Sequence, residues 1–242
     1  VPLAELTPFV NWRMFFNAWK IGGQYAEAAT LTSKEERKRW LRGFSTEDEA
    51  KAEEALRLAA DAREHLKRLI DGHMTEAHAI VGLFPANSVG DDTVAIYADE
   101  ERGRELARFQ FMRQLSVNAD GCTLSLADYI APAGYTDHLG LFAATSGVGL
   151  KERTDKLKAD GNDYSAIMYQ LLADRLVEAL SEWLHYKVRT RMWGYAPNEK
   201  CDPAEILKGH YQGIRPAIGY PISPDHGHKR ILFDVMDVEN RI

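Results

Sequence analysis

An arginine set among glycine and proline residues is the strongest chemical signal in this sequence. Residues 208–224 read Lys-Gly-His-Tyr-Gln-Gly-Ile-Arg-Pro-Ala-Ile-Gly-Tyr-Pro-Ile-Ser-Pro. Because glycine and proline crowd the stretch from Gly213 to Pro221, neither a helix nor a central strand can run through it. Arg215 carries the one full charge between Gly213 and Tyr220. Its planar guanidinium is suited to binding a carboxylate or a phosphate.

The residues that follow Arg215 suit the remainder of a small molecule. Ala217 and Gly219 are small and leave backbone N–H and C=O groups open to a ligand, and Tyr220 adds an aromatic wall. The stretch therefore predicts a rigid backbone loop that binds a small molecule through one anchored anion. The alternative is a Pro/Gly turn whose arginine lies on the surface, since short motifs have many false positives.

A second candidate is the carboxylate of Glu178, which lies in a long segment of helical pattern. Glu182 follows one turn later on the same face. A carboxylate here could bind the ammonium group of an amino-acid-like ligand whose other end is held by Arg215, because a charge near the core needs an opposite charge or donors. The residue pattern alone favours the other interpretation, a solvated helix face that carries both acids.

The histidines and their neighbours do not form the pattern of a metal or catalytic site. Asp225-His226-Gly227-His228 offers two histidines and one aspartate, too few ligands for a metal centre. His185 lies on an apolar helix and is typical of a core or cleft histidine rather than a base. No Ser-His-Asp or phosphate-binding glycine pattern is present. The sequence thus predicts no metal and no catalytic nucleophile or general base.

The elements that must position these residues indicate an α+β fold. We expect an irregular, mainly antiparallel sheet flanked by helices, with an N-terminal helical subdomain. The residue pattern predicts a helix that begins at Thr7-Pro8, a turn within Gly82 to Asp92 and a long helix that Gly194 ends. The other predicted elements are helices over 33–42 and 47–70, strands over 79–84, 93–97, 105–112 and 139–145, and the long helix over 163–193.

Composition limits the class of protein. The chain has 242 residues, of which 45% are hydrophobic and 27% charged, so it has enough length for a sizeable core. Its net charge of −6 argues against nucleic-acid binding, because such domains usually carry a basic face. No apolar run reaches the length of a membrane span. Its two cysteines cannot make a disulfide framework, so we expect a cytoplasmic protein.

Several ordered blocks of this sequence resemble one family. The Arg-Pro-x-x-Gly-Tyr stretch beginning at Arg215 resembles the signature of the activation domain of cobalamin-dependent methionine synthase, and the resemblance covers most of the chain. The other matching blocks are Phe9-Val10-Asn11-Trp12 with Phe15, Phe16 and Trp19, then Val81 to Asp92, Ala127 to Pro132, Ala173 to Leu176, Leu184-His185 and Trp193 to Glu199.

The resemblance implies reductive rescue of an oxidised cobalt centre. In such a domain S-adenosylmethionine supplies a methyl group, and a flavodoxin-like donor supplies one electron to cob(II)alamin held by a neighbouring cobalamin-binding domain. The resemblance further implies that Arg215 binds the methionine carboxylate, that backbone groups near Ala217 and Gly219 bind the ligand, and that Tyr220 packs on it. It favours Glu178 and Asn11 as acceptors for the cationic half of the ligand.

Two features depart from the family. Asn11 stands where the family usually has an aspartate that binds the ligand, so one negative charge is lost. The chain also ends where the family continues into a further segment. We therefore expect one activation-type domain over 1–242 that is truncated at its C-terminus, with a helical part over 1–75 and a mixed α/β ligand-binding part over 76–242.

Two other functions remain open at this point. One is a module that docks on a corrinoid protein without binding S-adenosylmethionine, which the loss of charge at Asn11 favours. The other is a hydrolase or transferase that uses His185 or His226 with a nearby acid.

Overall fold

The computed structural model describes all 242 residues, and the chain forms two units that each draw on two stretches of sequence. The first unit consists of Val1–His78 and Ala144–Tyr211, and the second of Ala79–Ala143 and Gln212–Ile242. The chain passes from the first unit to the second after His78, close to the boundary expected at residue 75. It comes back to the first unit at Ala144, which the expected division did not include. That all 242 residues act as one activation-type domain stays a prediction.

Helices make up most of the first unit because their apolar residues recur at helical spacing. In α4, Ala52, Ala55, Ala59, Ala62, Leu66 and Leu69 are buried on one face. This face packs against α6, which α1, α2 and α5 also contact. The helices are α1 (Leu3–Leu6), α2 (Trp12–Ala18), α3 (Lys34–Leu41), α4 (Thr46–Asp71), α5 (Leu150–Ala159), α6 (Asp163–Lys187) and α7 (Pro203–Ile206), with short 3-10 helices at Thr7–Phe9 and Gly23–Ala29.

The N-terminal helix begins later than the sequence predicts. Thr7 and Pro8 form a 3-10 turn, and the helix that carries Phe15 and Phe16 begins after Asn11. The Asn11 Oδ1 accepts a hydrogen bond from the Met14 N–H at 3.2 Å. An asparagine cap satisfies a backbone donor at the helix start that has no intrahelical partner, which explains why the helix begins here.

The four strands form one sheet in the order β3-β2-β1-β4. They are β1 (Glu76–Val89), β2 (Thr93–Tyr97), β3 (Glu105–Gln110) and β4 (His138–Val148). The β1–β2 and β2–β3 pairs are antiparallel, with Val89 opposite Thr93 and Thr93 opposite Gln110. The predicted α+β class, with a mainly antiparallel sheet, flanking helices and a helical N-terminal part, is confirmed.

The turn predicted within Gly82 to Asp92 is much shorter than expected. Strand β1 continues to Val89, and the turn is confined to the residues around Gly90, whose φ is +69°. Pairing with β2 begins at Ala86, so Pro85 lies outside that ladder and its missing N–H removes no bond to β2. This placement lets a strand pass through a proline.

A hydrophobic cluster holds the second unit together and supports the arginine loop. Helix α8 (Gly227–Met236) packs against β3, and the short α9 (Val238–Arg241) packs against α8. Ile218, from the loop that carries Arg215, packs against the same cluster. The buried members of the cluster are Ala86, Val94, Ile96, Phe109, Ala127, Leu141, Leu232, Met236 and Val238.

An ion pair fixes the segment between β3 and β4. Both terminal nitrogens of the Arg113 guanidinium donate to the Asp128 carboxylate at 2.8 Å. Asp128 also accepts the Ser125 N–H at 2.8 Å, which completes a capping box on the 3-10 turn Leu126–Tyr129. The Arg113 hydrogen bond, and then the bond from Ser125, hold the pKa of Asp128 below its ordinary value of 3.8.

This ion pair predicts a specific dependence of stability on pH. Because the pKa of Asp128 is lowered in the folded state, its stabilising contribution is present above pH 3.8 and is lost as the pH falls through the folded pKa. We expect Asp128→Asn to cost up to about 1 kcal/mol near neutral pH, since the pair is partly exposed. In urea unfolding from pH 7 down to pH 3, the difference from the wild type should shrink below about pH 4. A difference that stays constant over this range would contradict the account.

Candidate functional site

The loop after Tyr211 is held by its own backbone hydrogen bonds. The Gly219 N–H donates to the Ser223 carbonyl at 2.7 Å, and the Ser223 N–H donates to the Tyr220 carbonyl at 2.8 Å. Proline at position 221 fits the second position of the turn that these bonds close. No helix or strand passes between 212 and 226, so the predicted irregular loop is confirmed.

Two backbone groups of this loop are available to a ligand. The N–H of Ala217 and the carbonyl of Gly219 have no hydrogen-bond partner within the chain, and both residues are exposed. The Gly219 N–H and the Ala217 carbonyl, in contrast, are engaged, the latter by the Tyr220 N–H at 3.3 Å. The loop thus offers one donor and one acceptor on its exposed backbone, while Ile218 is anchored in the core.

The side chains on either side of these groups provide a charge and a ring. Arg215 is half-buried, two residues before Ala217, and Tyr220 is 63% exposed. Arg215, Ala217, Gly219 and Tyr220 therefore share one loop of the second unit. A guanidinium, two open backbone groups and an exposed ring suit a ligand that carries a carboxylate and an aromatic base.

Glu178 is an exposed residue of α6 in the first unit. Its carboxylate accepts a hydrogen bond from the Arg175 guanidinium at 2.8 Å, and 47% of its side chain is exposed. The solvated helix face that the residue pattern favoured therefore holds for Glu178, with an arginine as its partner, whereas Glu182 on the same face is half-buried. The carboxylate has further acceptor positions beyond the one that Arg175 occupies.

Asn11, also in the first unit, is engaged as the cap of α2. Its Oδ1 accepts the Met14 N–H, and its side-chain NH2 has no hydrogen-bond partner in the chain. The structure thus assigns Asn11 a local role in the fold. Any role in ligand binding would be additional to it.

A buried arginine follows the end of the long helix, and no pattern in the sequence indicated it. Beyond α6 the chain forms a π-helical turn (Val188–Met192), and Arg189 within it is fully buried. Its guanidinium donates to both Glu199 carboxylate oxygens, at 2.7 and 2.5 Å, and lies 4.0 Å from the centre of the Tyr211 ring. The pair joins the helix end to the Trp193–Glu199 turn. The sequence gives no sign of this ion pair, because its two charges are ten residues apart and apolar periodicity says nothing about which charges meet.

His185 belongs to this cluster. Its Nδ1 lies 2.7 Å from Arg189 Nη1, and since a guanidinium can only donate, the ring nitrogen is the acceptor. That nitrogen is therefore not available to take a proton from a substrate. The geometry agrees with a core histidine and gives no support to a hydrolase built on His185.

The Asp225 to His228 segment forms the start of α8. His228 is 3% exposed and contacts the rings of Phe109 and Phe111 edge-on. The Asp225 Oδ1 accepts the Gly227 N–H at 2.7 Å. No group of three or more metal-binding side chains occurs in the chain. Asp225 and His228 thus have structural contacts of their own.

Comparison with known families and structures identifies the chain. The family model for the vitamin B12 dependent methionine synthase activation domain matches residues 2–242. The chain belongs to this family. It is thus a domain of methionine synthase, which is a methyltransferase, and the expected resemblance is confirmed.

A solved structure supports the same family for this activation domain. A crystal structure of the MetH reactivation domain bound to AdoHcy is similar, with 35% sequence identity and a TM-score of 0.84. The match covers 100% of this chain and 69% of the solved one. The activation domain contains no helix with the length and hydropathy of a transmembrane segment.

Proposed function

We propose that this activation domain binds S-adenosylmethionine on the Arg215 loop and presents it to a cobalamin-binding domain of the same enzyme. The observation that carries the proposal is the similar reactivation domain bound to AdoHcy. AdoHcy is S-adenosylmethionine without the transferred methyl group, so both share the carboxylate, the ammonium and the adenosine. A fold that binds one has the contacts for the common part of the other.

The residues of the loop suit this ligand. Arg215 would bind the carboxylate through two parallel hydrogen bonds. The Ala217 N–H and the Gly219 carbonyl, which lack partners within the chain, would bind polar atoms of the ligand, and Tyr220 would pack on it. Glu178 and Asn11 are proposed as acceptors for the cationic half, Glu178 with acceptor positions that Arg175 leaves open.

The chain's contribution to the reaction is positioning. S-adenosylmethionine supplies the methyl group, and a flavodoxin-like donor supplies the electron for cobalamin in the cob(II) state on the neighbouring domain. Loop residues hold the ligand in place, so that its methyl group faces the neighbouring domain. None of the proposed site residues needs to act as nucleophile or base, because the cofactor carries the difficult chemistry. A cytoplasmic location, where cysteines stay reduced, fits the two free, exposed cysteines of the chain.

A methyl-transfer assay tests this proposal. The chain is mixed with a cobalamin-loaded methionine synthase module in the cob(II) state, a one-electron donor and S-adenosylmethionine labelled in its methyl group. We expect label to move to the corrinoid only when the chain, the donor and the ligand are all present. Transfer at the same rate without the chain would refute the proposal.

A docking module that does not bind S-adenosylmethionine is the second candidate. One observation favours it: Asn11 replaces the acid that the family resemblance implies, and its carbonyl oxygen is engaged as a helix cap. In this function the chain would bind the cobalamin-binding domain without a ligand. The two candidates differ in what a charge at residue 11 should do.

Asn11→Asp is expected to raise the affinity for S-adenosylmethionine by about fivefold or more. A charge-assisted hydrogen bond is about 1 kcal/mol or more stronger than a neutral one, and the ligand is cationic. The free energy of unfolding should change little, because aspartate caps a helix as well as asparagine does. Calorimetry measures the affinity and urea unfolding the stability. Binding that appears only in the variant would favour the docking module, and unchanged affinity would remove residue 11 from the site.

A further inference from the structure

The imidazole of His226 occupies the space beside Gly219. A Cβ atom added to Gly219 would lie 2.7 Å from the His226 Cε1 and 3.0 Å from its Nε2. Such distances are shorter than a carbon contact permits, so the ring lies directly against the Gly219 α-carbon. The φ of Gly219 is +102°, which only glycine adopts readily. Both the backbone angle and the ring therefore require glycine at this position.

His226 is attached to a part of the second unit that is well anchored. It immediately precedes α8, and its carbonyl accepts the Lys229 N–H at 3.1 Å. Two residues later, His228 is buried between Phe109 and Phe111. The backbone of His226 is thus held at the start of α8, and its exposed ring contacts the loop at the residue whose carbonyl is open to a ligand.

The Gly219 carbonyl lies in the same peptide plane as the Tyr220 N–H, which donates to the Ala217 carbonyl at 3.3 Å. The bonds from Gly219 to Ser223 and from Ser223 to Tyr220 close the turn that follows. Ile218, the residue before Gly219, packs against the core. The His226 ring adds a side-chain contact at the Gly219 α-carbon itself.

We propose that His226 is a positioning residue of the ligand loop, which acts through the contact of its ring with Gly219. The proposal rests on the function proposed for this loop. His226 fills space, so that the Gly219 carbonyl and the Ala217 N–H keep the directions that the ligand needs before it arrives. A loop ordered in advance binds more tightly because less freedom is lost on binding.

Three variants separate this role from its alternatives. His226→Ala removes the ring, His226→Phe keeps a planar ring and removes both nitrogens, and His78→Ala removes an exposed histidine of the first unit as a control. Calorimetric titration of S-adenosylhomocysteine should give an affinity about three- to tenfold weaker for His226→Ala. His226→Phe and the control should stay within about twofold of the wild type. The melting temperature should be unchanged in all three.

Each contrary result overturns a definite part of the proposal. Equal affinity of His226→Ala and the wild type would show that the ring does not position the loop. Equal losses in His226→Ala and His226→Phe would show that a ring nitrogen contacts the ligand, which contradicts a role through Gly219.

A measurement without ligand keeps this proposal separate from the function of the loop. The ring of His226 should shift the NMR signals of the Gly219 α-protons in the free chain, and the shift should be lost in His226→Ala and present in His226→Phe. Unchanged signals in His226→Ala would overturn the proposal. Absence of S-adenosylhomocysteine binding by the wild type would instead refute the proposed function, and the NMR result would still decide whether His226 fixes the loop.

Discussion

Arg215→Ala is expected to weaken binding of S-adenosylmethionine by about 100-fold or more. Loss of one partner from a desolvated charge pair costs about 2–5 kcal/mol, and each 1.4 kcal/mol is a factor of ten in affinity. Arg215 is half-buried and is the charge on the proposed ligand loop. Arg215→Lys should also bind weakly, because a lysine keeps the charge and loses the two parallel hydrogen bonds of a guanidinium.

Arg230→Ala is the matched control for this prediction. Arg230 lies in the same unit, its side chain is 82% exposed, and it pairs with Asp234 one helical turn away. We expect its loss to leave the affinity within about twofold of the wild type. Calorimetry on the three variants, with circular dichroism to check folding, gives the comparison. Equal affinities for Arg215→Ala and Arg230→Ala would remove Arg215 from the ligand site.

Arg189→Ala is expected to lower the free energy of unfolding by about 3–5 kcal/mol. The substitution leaves the Glu199 carboxylate, whose side chain is 16% exposed, without its two hydrogen bonds from the guanidinium. A buried charge without a partner costs this much, whereas replacing the whole pair by apolar residues is often close to neutral. Since domains are stable by about 5–15 kcal/mol, the effect is large.

A double variant and a surface control make this prediction specific. Arg189→Met combined with Glu199→Leu should be more stable than Arg189→Ala, because no charge is left buried. Lys151→Ala removes an exposed ion pair to Asp155 and should leave the free energy of unfolding almost unchanged, because water screens such a pair. Urea unfolding at neutral pH measures all three. A double variant less stable than Arg189→Ala would show that the cost does not come from the unpaired carboxylate.

Much of the fold could be predicted because local patterns determine it. The strand over 93–97 is a short run of β-forming residues bounded by turn residues, and its predicted bounds agree with β2. The helices over 33–42 and 47–70 agree with α3 and α4 to within about two residues, because a serine caps the start of each and α4 also has a buried apolar face. Local patterns could not identify Asn11 as the cap of α2, because Thr7-Pro8 has an equally good sequence for a helix start.

The residues missed by sequence reasoning depend on contacts between distant parts of the chain. Arg189 and Glu199 lie in stretches of mixed polarity, and only the fold buries them together. The contact of His226 with Gly219 depends on how α8 packs in its unit. The Arg215 loop was found from sequence because glycine and proline exclude regular structure locally. Which of its backbone groups remain open could be read only from the hydrogen bonds of the folded loop.

Binding of S-adenosylmethionine is the central claim, and a calorimetric titration of the ligand into this chain tests it most directly. We expect saturable binding to one site per chain, with S-adenosylhomocysteine competing for that site. A folded chain that shows no saturable binding of either compound would contradict it.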